Sequence, residues 1–508
     1  MTGLPAVLRE RVVIADGATG SLLDVMLGDE LADRRDLVAL DRPDIASQVI
    51  LAYIEAGAEI IKTATFNANA RSMKRFFSAG LPGQGPATDP ETLARRLNEA
   101  SAGIARAAVD VAVAADGRPR WVAGSVGPGS DAPSLGGSSY GELRDSYLPQ
   151  MLGLIAGGAD LVLIETVQDP LQAKAAIGAL EEAGRVSGRT LPFIVSATVD
   201  GRGRMLSGAD VRAFAAIIEP FQPLAIGLNC SGGPDELAPA CGALAAVSSA
   251  PICIMPNAGL PRSSGGKVTW PLDAATFAAR TGGMARRLGA AIVGGCCGTG
   301  PGHIAALVGI MAGAPAPVAR PGRIFALASA FTSMPVAGSG KAGIFVIDER
   351  SNAAGSAAFK AIVKAGDFEA AARFVVDRAA RGADAVDVSV AGSVRDERAA
   401  MVEIVSRAAS VMVAAISIDS TDPEVIAAVL PLVGARPLVN SVNLEDTGKA
   451  VRLFDLARGF GAAVVCLAMD GLGPARDRAT KLSICRRLYE LALSRGLAPE
   501  DLLFDTAT

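Results

Sequence analysis

Short apolar runs alternate with helical stretches along the first three fifths of the chain. The apolar runs predict eight strands, with the sequences VVIADGA, AEIIKTATF, RWVAGSVG, LVLIETV, FIVSATV, LAIGLNC, ICIMPNA and AIVGGCC. Segments with a helical period separate them, among them LQAKAAIGALEEAG and ADVRAFAAIIE. Eight βα units between residues 12 and 297 predict an α/β fold in which the strands close into a (β/α)8 barrel, also called a TIM barrel.

A second series of apolar runs and helical stretches follows the first. Its predicted strands are IFVIDERSN, ADAVDVSV, VAAISIDST, PLVNSVN, AAVVCLAMD and DLLFDTAT. The series predicts a second TIM-type barrel that is incomplete, with about six βα units instead of eight. Residues 312–342 are rich in Pro, Gly, Ala and Ser without a clear period, which is typical of a linker. The predicted domains are therefore residues 1–311 and 343–508, joined by residues 312–342.

Polar or small residues stand where strands of the first series end. They are Asp16, Thr65, Glu165, Asn229, Asn257 and Cys296. Active sites of (β/α)8 barrels lie at the carboxyl ends of the strands, so this distribution is what an enzyme of this fold requires. Strand ends also run into polar loops without any function, and that alternative explains one or two of these residues more easily than all of them.

Composition excludes some classes of partner. The net charge of −4 and the aromatic content of 4% favour neither a nucleic acid nor an anionic membrane as a partner. The first residues lack the features of a signal peptide, and no apolar stretch reaches the roughly 20 residues of a membrane span. We therefore expect a cytoplasmic protein whose seven cysteines stay reduced. The single histidine excludes a zinc site built from three histidines.

Three cysteines form the strongest chemical pattern. Cys230 ends the sixth predicted strand, and Cys296 and Cys297 end the eighth, so a barrel can bring them to one point. Neighbouring side chains on a strand face opposite ways, but the glycines of VGGCCGTG allow the strand to break there. Three thiolates favour zinc with an open fourth position, where a substrate thiol would be deprotonated.

Cysteines are also common as inert core residues, so the residues alone leave both alternatives open for these three. The remaining four are interpreted as ordinary core residues: Cys241, Cys253, Cys466 and Cys485.

The motifs of the first domain resemble the homocysteine S-methyltransferase family. DGATGSLL, GAEIIKTATFNANA, GSVGP, ADLVLIETVQD, IGLNCSGGP and VGGCCGTGPGHI occur in the order seen in that family, across residues 10–310. The resemblance implies that Cys230, Cys296 and Cys297 bind Zn²⁺ and that the zinc binds homocysteine as a thiolate, which attacks an electrophilic methyl group. It also places Asp16 and Glu165 near the amino group of homocysteine, which two carboxylates can bind.

Other residues of the first domain receive smaller roles. Without the resemblance, Asp16 would be read as part of an Asp-Gly turn and Glu165 as a helix cap or loop contact. Asn229 is expected to orient the neighbouring cysteine loop and to belong to the homocysteine-binding residues, and His303 is expected to begin the last helix in a structural role. Many relatives have an acidic or neutral residue in place of Lys62, and we interpret this lysine as neutral variation.

The second half resembles the pterin-binding domain of cobalamin-dependent methionine synthases, which binds methyltetrahydrofolate. The matching segments are VIDERSNAAGSAAFKAIVKAGDFEAAARF, GADAVDVSV, SIDS, PLVNSVNLE and AAVVCLAMDGLGPARD. The resemblance implies that polar residues at strand ends hold the pterin ring by hydrogen bonds. These are Asp387, Asp419, Asn440, Asp470 and Asp505. Two positions depart from the pattern, since Ser389 replaces the usual asparagine and Ala507 removes a polar amide.

Together the resemblances imply an enzyme that methylates homocysteine to methionine. The methyl donor would be methylcobalamin on a corrinoid protein or cobalamin domain supplied in trans, with methyltetrahydrofolate upstream. Two alternatives remain: a homocysteine methyltransferase with a sulfonium or betaine donor, and a non-catalytic folate- or homocysteine-binding protein. The second half is expected to be degenerate, completed by another chain or shortened, and the edges of an unfinished sheet also allow a homo-oligomer.

Overall fold

The structure is a computed structural model that describes residues 3–27, 34–77, 89–129, 131–264, 267–336 and 344–506. Its fold class is α/β, and every strand predicted for the first domain is present. These strands are β1 (Val13–Ile14), β2 (Ile60–Lys62), β3 (Trp121–Val126), β4 (Leu161–Val167), β5 (Phe193–Ala197), β6 (Ala225–Cys230), β7 (Ile252–Pro256) and β8 (Ile292–Val293).

The strands of the first domain form one parallel sheet that closes into a barrel. Neighbours pair in the order β1-β8-β7-β6-β5-β4-β3-β2, and a parallel bridge between Ala15 and Ile60 joins its two ends. The described helices of this domain are α1 (Leu4–Glu10), α2 (Thr19–Leu27), α3 (Val38–Asp41), α4 (Pro43–Glu55), α5 (Ala70–Phe77), α6 (Pro90–Asp116), α7 (Tyr140–Ala156), α8 (Pro170–Ser187), α9 (Val211–Ile218), α10 (Pro234–Ala245), α11 (Ala274–Leu288) and α12 (Pro301–Met311). The predicted (β/α)8 barrel is therefore confirmed.

Local sequence signals define where the helices begin and end. The side chains of Ser139 and Asp169 accept hydrogen bonds from backbone N–H groups in the first turns of α7 and α8. Gly188 and Gly289 adopt positive φ after α8 and α11, a conformation that glycine allows at little cost. These signals fix the lengths of the helices that pack around the barrel.

The interior of the first barrel changes from apolar to polar along its strands. One buried cluster joins α1 to the strands and includes Leu4, Val7, Ile60, Ala123, Leu163, Ile194 and Ala225. Side chains two positions further along a strand point the same way. Beyond the apolar layer stand the buried residues Lys62, Ser125, Glu165, Ser196 and Asn229. Helix α1 thus closes the amino-terminal end, and polar groups gather at the carboxyl-terminal end.

The second domain is built on six parallel strands, as predicted. They are β9 (Ile347–Asn352), β10 (Ala385–Ser389), β11 (Ala415–Asp419), β12 (Leu438–Leu444), β13 (Ala463–Asp470) and β14 (Leu502–Asp505), paired in chain order. A short strand at Gly473–Pro474 pairs antiparallel to β13. Within the described residues, β9 pairs only with β10 and β14 only with β13, so the sheet is open.

Helices flank the sheet of the second domain. They are α13 (Ala357–Lys364), α14 (Phe368–Ala380), α15 (Glu397–Ala408), α16 (Pro423–Val429), α17 (Thr447–Phe460) and α18 (Arg478–Ser494). Residues 507–508, which end the last predicted strand, lie outside the described residues. None of the helices in the described ranges combines the length and apolar character that crossing a bilayer requires.

The predicted linker contains ordered structure. Its segments Ala326–Ala328 and Ser333–Pro335 form an antiparallel hairpin, hereafter the linker hairpin, while residues 337–342 lie outside the described part of the chain. Leu327 of the hairpin packs against the first residues of several strands of the second domain, namely Ala385, Ala415, Leu438 and Ala463. The backbone N–H of Asp210 donates to the carbonyl of Phe331, which ties the hairpin to the start of α9. The hairpin therefore lies between the two domains.

Two buried basic side chains hold the second domain against α8 and the linker hairpin. Lys174 of α8 donates from Nζ to the carbonyls of Val433 (3.2 Å) and Ala435 (2.6 Å) in the second domain. Arg436 donates to the carbonyl of Ala326 (2.8 Å) and pairs with Asp501 (2.6 Å), and only 1% of its surface is exposed. Since unpaired buried carbonyls are costly, these contacts define the geometry of the interface.

We predict that Lys174→Met lowers the free energy of unfolding, because two buried carbonyls lose their donor, at a cost of about 1–3 kcal/mol. Burial lowers the pKa of Lys174 to about 7. The unfolded chain therefore binds more protons than the folded chain between about pH 7 and 10, and the contribution of Lys174 to stability rises across that window. Denaturant unfolding at several pH values should show a deficit of the variant that grows with pH.

The matched control is Lys364→Met, at an exposed position of α13. Identical unfolding curves for the two variants at every pH would contradict the interpretation of Lys174 as an interface residue.

Candidate active site

A cavity of about 920 Å³ opens at the carboxyl-terminal end of the first barrel. Its wall includes Lys62, Glu165 and all three cysteines that the sequence singled out, Cys230, Cys296 and Cys297. The polar layer of the barrel interior thus forms the floor of this cavity, at the end of the fold where active sites of (β/α)8 barrels lie.

The three cysteines meet because the backbone departs from strand geometry at both places. Cys230 ends β6, and it and Ser231 have φ of 61° and 64°, in the left-handed region that few residues other than glycine adopt. Strand β8 ends at Val293, so Cys296 and Cys297 lie beyond it in a turn that follows two glycines. Because Cys296 and Cys297 do not lie on a regular strand, both of their side chains can point toward Cys230.

The distances between the sulfur atoms fit a single metal ion. Sγ of Cys297 lies 3.7 Å from Sγ of Cys230 and 3.9 Å from Sγ of Cys296. All three sulfurs lie within 4.8 Å of one another. Tetrahedral zinc with Zn–S bonds of about 2.3 Å requires sulfurs about 3.8 Å apart. The distances are far too long for a disulfide, whose S–S bond is about 2 Å.

The thiols need a cation to become ligands. The pKa of Cys296 is raised to about 12 by its hydrogen bond with Cys230 and by burial. A thiol in this environment stays protonated near neutral pH, whereas a bound divalent metal stabilises the thiolate. The donor set of three sulfurs is therefore suited to a soft metal and poorly suited to catalysis by itself.

Asn229 connects the cysteine cluster to the neighbouring strands. Its Oδ1 accepts hydrogen bonds from the backbone N–H of Thr166 (2.9 Å) and from Ser196 Oγ (2.7 Å). Its Nδ2 donates to Thr166 Oγ1 (2.8 Å) and lies 3.7 Å from Sγ of Cys296. The fully buried amide therefore has partners on both sides and joins β6 to β4 and β5. Its role in orienting Cys296 stays a prediction.

The two carboxylates predicted to bind an amino group lie in different positions. Glu165 lines the cavity and accepts a hydrogen bond from Ser125 Oγ at 2.5 Å. Asp16 lies outside the lining, 1% exposed, and accepts a hydrogen bond from the backbone N–H of Lys62 at 2.7 Å. Burial raises the pKa of Asp16 to about 6, against the opposing charge of Lys62.

Lys62 forms a buried ion pair that the interpretation as neutral variation did not anticipate. Its Nζ lies 3.4 Å from Oδ1 of Asp16, and its side chain is 6% exposed. The sequence held one signal for it, because Lys62 follows Ile60 on β2 and therefore points into the barrel. The partner, Asp16, stands 46 residues earlier, and only closure of the barrel brings the two together.

His303 has the structural role that its sequence suggested. It stands in the first turn of α12, where Nδ1 accepts a hydrogen bond from the backbone N–H of Gly300 at 3.3 Å. Its Nε2 lies 3.0 Å from the carbonyl of Leu272, so the neutral imidazole with a proton on Nε2 satisfies both contacts. The ring joins α12 to the segment before α11.

The second domain brings three of its five predicted pterin-binding residues together. Asp387 Oδ1 accepts hydrogen bonds from Asn440 Nδ2 (3.1 Å) and Ser417 Oγ (2.7 Å). Asn352 Nδ2 donates to Asp419 Oδ2 at 2.7 Å and lies 3.4 Å from Asp387 Oδ2. The sequence analysis missed Asn352, although it also ends a strand, β9.

The other two residues predicted to bind a pterin lie at the ends of adjacent strands. Asp470 ends β13 and faces Arg487 at 3.5 Å, and Asp505 ends β14 at an exposed position. Their role in binding a pterin stays a prediction.

We predict that Asp419→Asn stabilises the second domain above neutral pH. Burial and the charge of Asp387 raise the pKa of Asp419 to about 7. A folded-state pKa above the unfolded value means that stability is lost as pH rises from about 4 to 7, and the amide removes that loss. Thermal unfolding should show an advantage of the variant that is small at pH 4 and full above pH 7.

Asp377→Asn, at an exposed position of α14, is the matched control and should change the melting temperature little at any pH. An advantage of Asp419→Asn that does not depend on pH would argue against a raised pKa.

Comparisons with known proteins agree with both halves of this description. Residues 13–311 match the family "Homocysteine S-methyltransferase", and residues 348–508 match the family "Pterin binding enzyme". Methionine synthase of Mycobacterium tuberculosis is 34% identical over 517 residues, and that of Mycobacterium leprae is 34% identical over 522 residues. Both alignments cover 100% of this chain and 42% of the relative, so the chain spans less than half the length of these curated relatives.

Among solved structures, the metallated form of the homocysteine methyltransferase MmuM from Escherichia coli is 26% identical, with a TM-score of 0.48. That comparison covers 60% of this chain and 98% of the other. The match of the family over residues 13–311 and the identity of 34% along the whole chain lead to one conclusion. The chain belongs to the homocysteine S-methyltransferase family.

Proposed function

We propose that this chain is a zinc-dependent enzyme that transfers a methyl group to the thiol of homocysteine, giving methionine. The observation that carries the proposal is the cluster of Cys230, Cys296 and Cys297, with sulfurs at tetrahedral spacing on the wall of an open cavity. The three residues would hold Zn²⁺ and leave its fourth position for the substrate. A bound zinc supplies Lewis acidity, which keeps a coordinated thiol deprotonated at neutral pH.

The protein's own side chains would bind and orient the amino acid. Glu165 presents a carboxylate to the cavity, held in place by Ser125, and would accept the ammonium of homocysteine. Asp16 adds negative charge from beneath the cavity floor. Asn229 fixes the side chain of Cys296, so that the sulfur cluster does not need to rearrange when substrate enters.

For the methyl donor we propose methylcobalamin, carried by a corrinoid protein or cobalamin domain in trans. Methyltetrahydrofolate would supply the methyl group to the corrinoid and would bind the second domain. Asp387, Asp419 and Asn440 would hold the pterin ring at the strand ends, with Asp470 and Asp505 beside them. The support is the pterin-binding family match over residues 348–508, together with relatives named methionine synthase. The free cysteines suit a reducing compartment, and we propose the cytoplasm.

A second candidate function uses a sulfonium or betaine donor instead of the corrinoid. It is favoured by the match to the homocysteine S-methyltransferase family, which the first domain carries by itself. Methionine formation by the purified protein, with homocysteine and each class of donor in turn, separates the two. Turnover with methylcobalamin, increased by methyltetrahydrofolate, supports our proposal, and turnover with a sulfonium donor alone contradicts it.

We predict that Cys297→Ser abolishes metal retention and methionine formation while the fold persists. The serine removes one of three sulfur ligands, whereas the packing of the barrel does not depend on the turn in which Cys297 lies. Zinc content should fall from about one ion per chain to a small fraction of that value. Circular dichroism and thermal unfolding check the fold.

Cys485→Ser in α18 is the matched control and should retain both zinc and activity, because Cys485 lies in the second domain away from the cluster. If Cys297→Ser keeps its zinc, or if the variant unfolds globally, the cluster is not the metal site proposed here.

A further inference from the structure

The ammonium of Lys62 lies at the floor of the cavity without a full set of partners. Only 6% of its side chain is exposed, and that part contributes to the cavity wall. Its contact with Asp16 is an ion pair at 3.4 Å, longer than the 2.7–2.9 Å of a charge-assisted hydrogen bond. Oδ1 of Asp16 has no hydrogen-bond partner among the described residues. The two charges therefore face each other without a well-formed hydrogen bond.

A buried ammonium carries three donors and needs acceptors. Burial lowers the pKa of Lys62, but the surrounding acidic groups, Asp16 and Glu165 foremost, raise it above its usual value, so Lys62 stays charged. Leaving such donors unsatisfied is costly in a buried site. Because the side chain faces the cavity, the missing acceptor is most simply an anionic group that enters with a ligand.

Lys62 and Glu165 are placed as a pair of opposite charges. They come from β2 and β4, on either side of β3, and both point into the barrel. Ser125 of β3 stands between them and donates to Glu165. An α-amino acid carries its ammonium and carboxylate on one carbon, so a site that binds both needs an anion and a cation side by side.

We propose that Lys62 binds the α-carboxylate of the amino-acid substrate while Glu165 binds its α-ammonium, so that Lys62 is a specificity-determining residue of the site. This inference rests on the proposed function, because it takes the substrate to be homocysteine. Lys62, Glu165 and the three cysteines line the same cavity. The short side chain of homocysteine can therefore reach the cluster from a backbone held at Lys62 and Glu165.

Three thiols test the proposal on the zinc-loaded protein. Homocysteine carries both charged groups, 4-sulfanylbutanoate lacks the ammonium, and 3-aminopropane-1-thiol lacks the carboxylate. Lys62→Met should weaken binding of the two carboxylate-bearing thiols by about 10- to 100-fold and leave 3-aminopropane-1-thiol within about threefold. Calorimetry gives the dissociation constants, and zinc content checks that each variant keeps its metal.

Glu165→Gln should show the opposite selectivity. Its affinity for homocysteine and 3-aminopropane-1-thiol should fall, whereas its affinity for 4-sulfanylbutanoate should change little. Equal weakening of all three thiols by Lys62→Met, or no weakening, would overturn the assignment. Wild-type protein that binds zinc but no homocysteine would overturn the proposed function and this inference with it, whereas normal homocysteine binding without selectivity in Lys62→Met overturns the inference alone.

The double variant Asp16→Asn/Lys62→Met tests whether Lys62 merely neutralises Asp16. It removes both buried charges at once, so it is expected to fold even if an unpaired Asp16 destabilises the single variant. We expect the double variant to show the same selective loss of affinity for the two carboxylate-bearing thiols as Lys62→Met. Recovery of homocysteine affinity in the double variant would show that Lys62 serves Asp16 and not the substrate.

Discussion

The alternation of side chains along a strand is the constraint on which the candidate site depends. A regular strand offers every second side chain to the barrel interior, and this rule places Lys62, Glu165 and Asn229 in one polar layer above an apolar one. By the same rule, two adjacent cysteines on a regular strand point in opposite directions and cannot bind the same metal ion. The chain resolves that conflict with left-handed φ at Cys230 and with a turn after β8, so the sulfur cluster exists because strand geometry ends there.

The polar layer is also a layer of buried charge. Asp16, Lys62 and Glu165 lie within reach of one another and of the cysteines, so the state of each depends on the others. Lys62 carries one positive charge and the two carboxylates carry two negative charges, so the floor of the cavity has one net negative charge. A divalent metal held by three thiolates would add one more negative charge, and the site would then attract a cationic group of a ligand.

Much of the fold and of the site could be predicted from local sequence. The strands were predictable because apolar runs bounded by small residues reflect burial on both faces, as in LVLIETV and AAVVCLAMD. The convergence of Cys230 with Cys296 and Cys297 followed from their positions at strand ends. The ion pair of Asp16 and Lys62 did not, because it depends on the closure of β1 against β2. The linker hairpin was missed because Ala326–Ala328 lacks the β-branched and aromatic residues typical of strands.

The linker hairpin affects how the two halves can be studied apart. Its Leu327 covers the amino-terminal ends of β10 to β13, and its Ala326 carbonyl is an acceptor for the buried guanidinium of Arg436. A gene fragment begun at residue 343 would remove this cover and one acceptor of the Arg436 guanidinium, whereas a fragment begun before residue 324 would keep both. Composition alone therefore misplaces the domain boundary. The linker hairpin has the composition of a flexible linker, but it packs as part of the second domain.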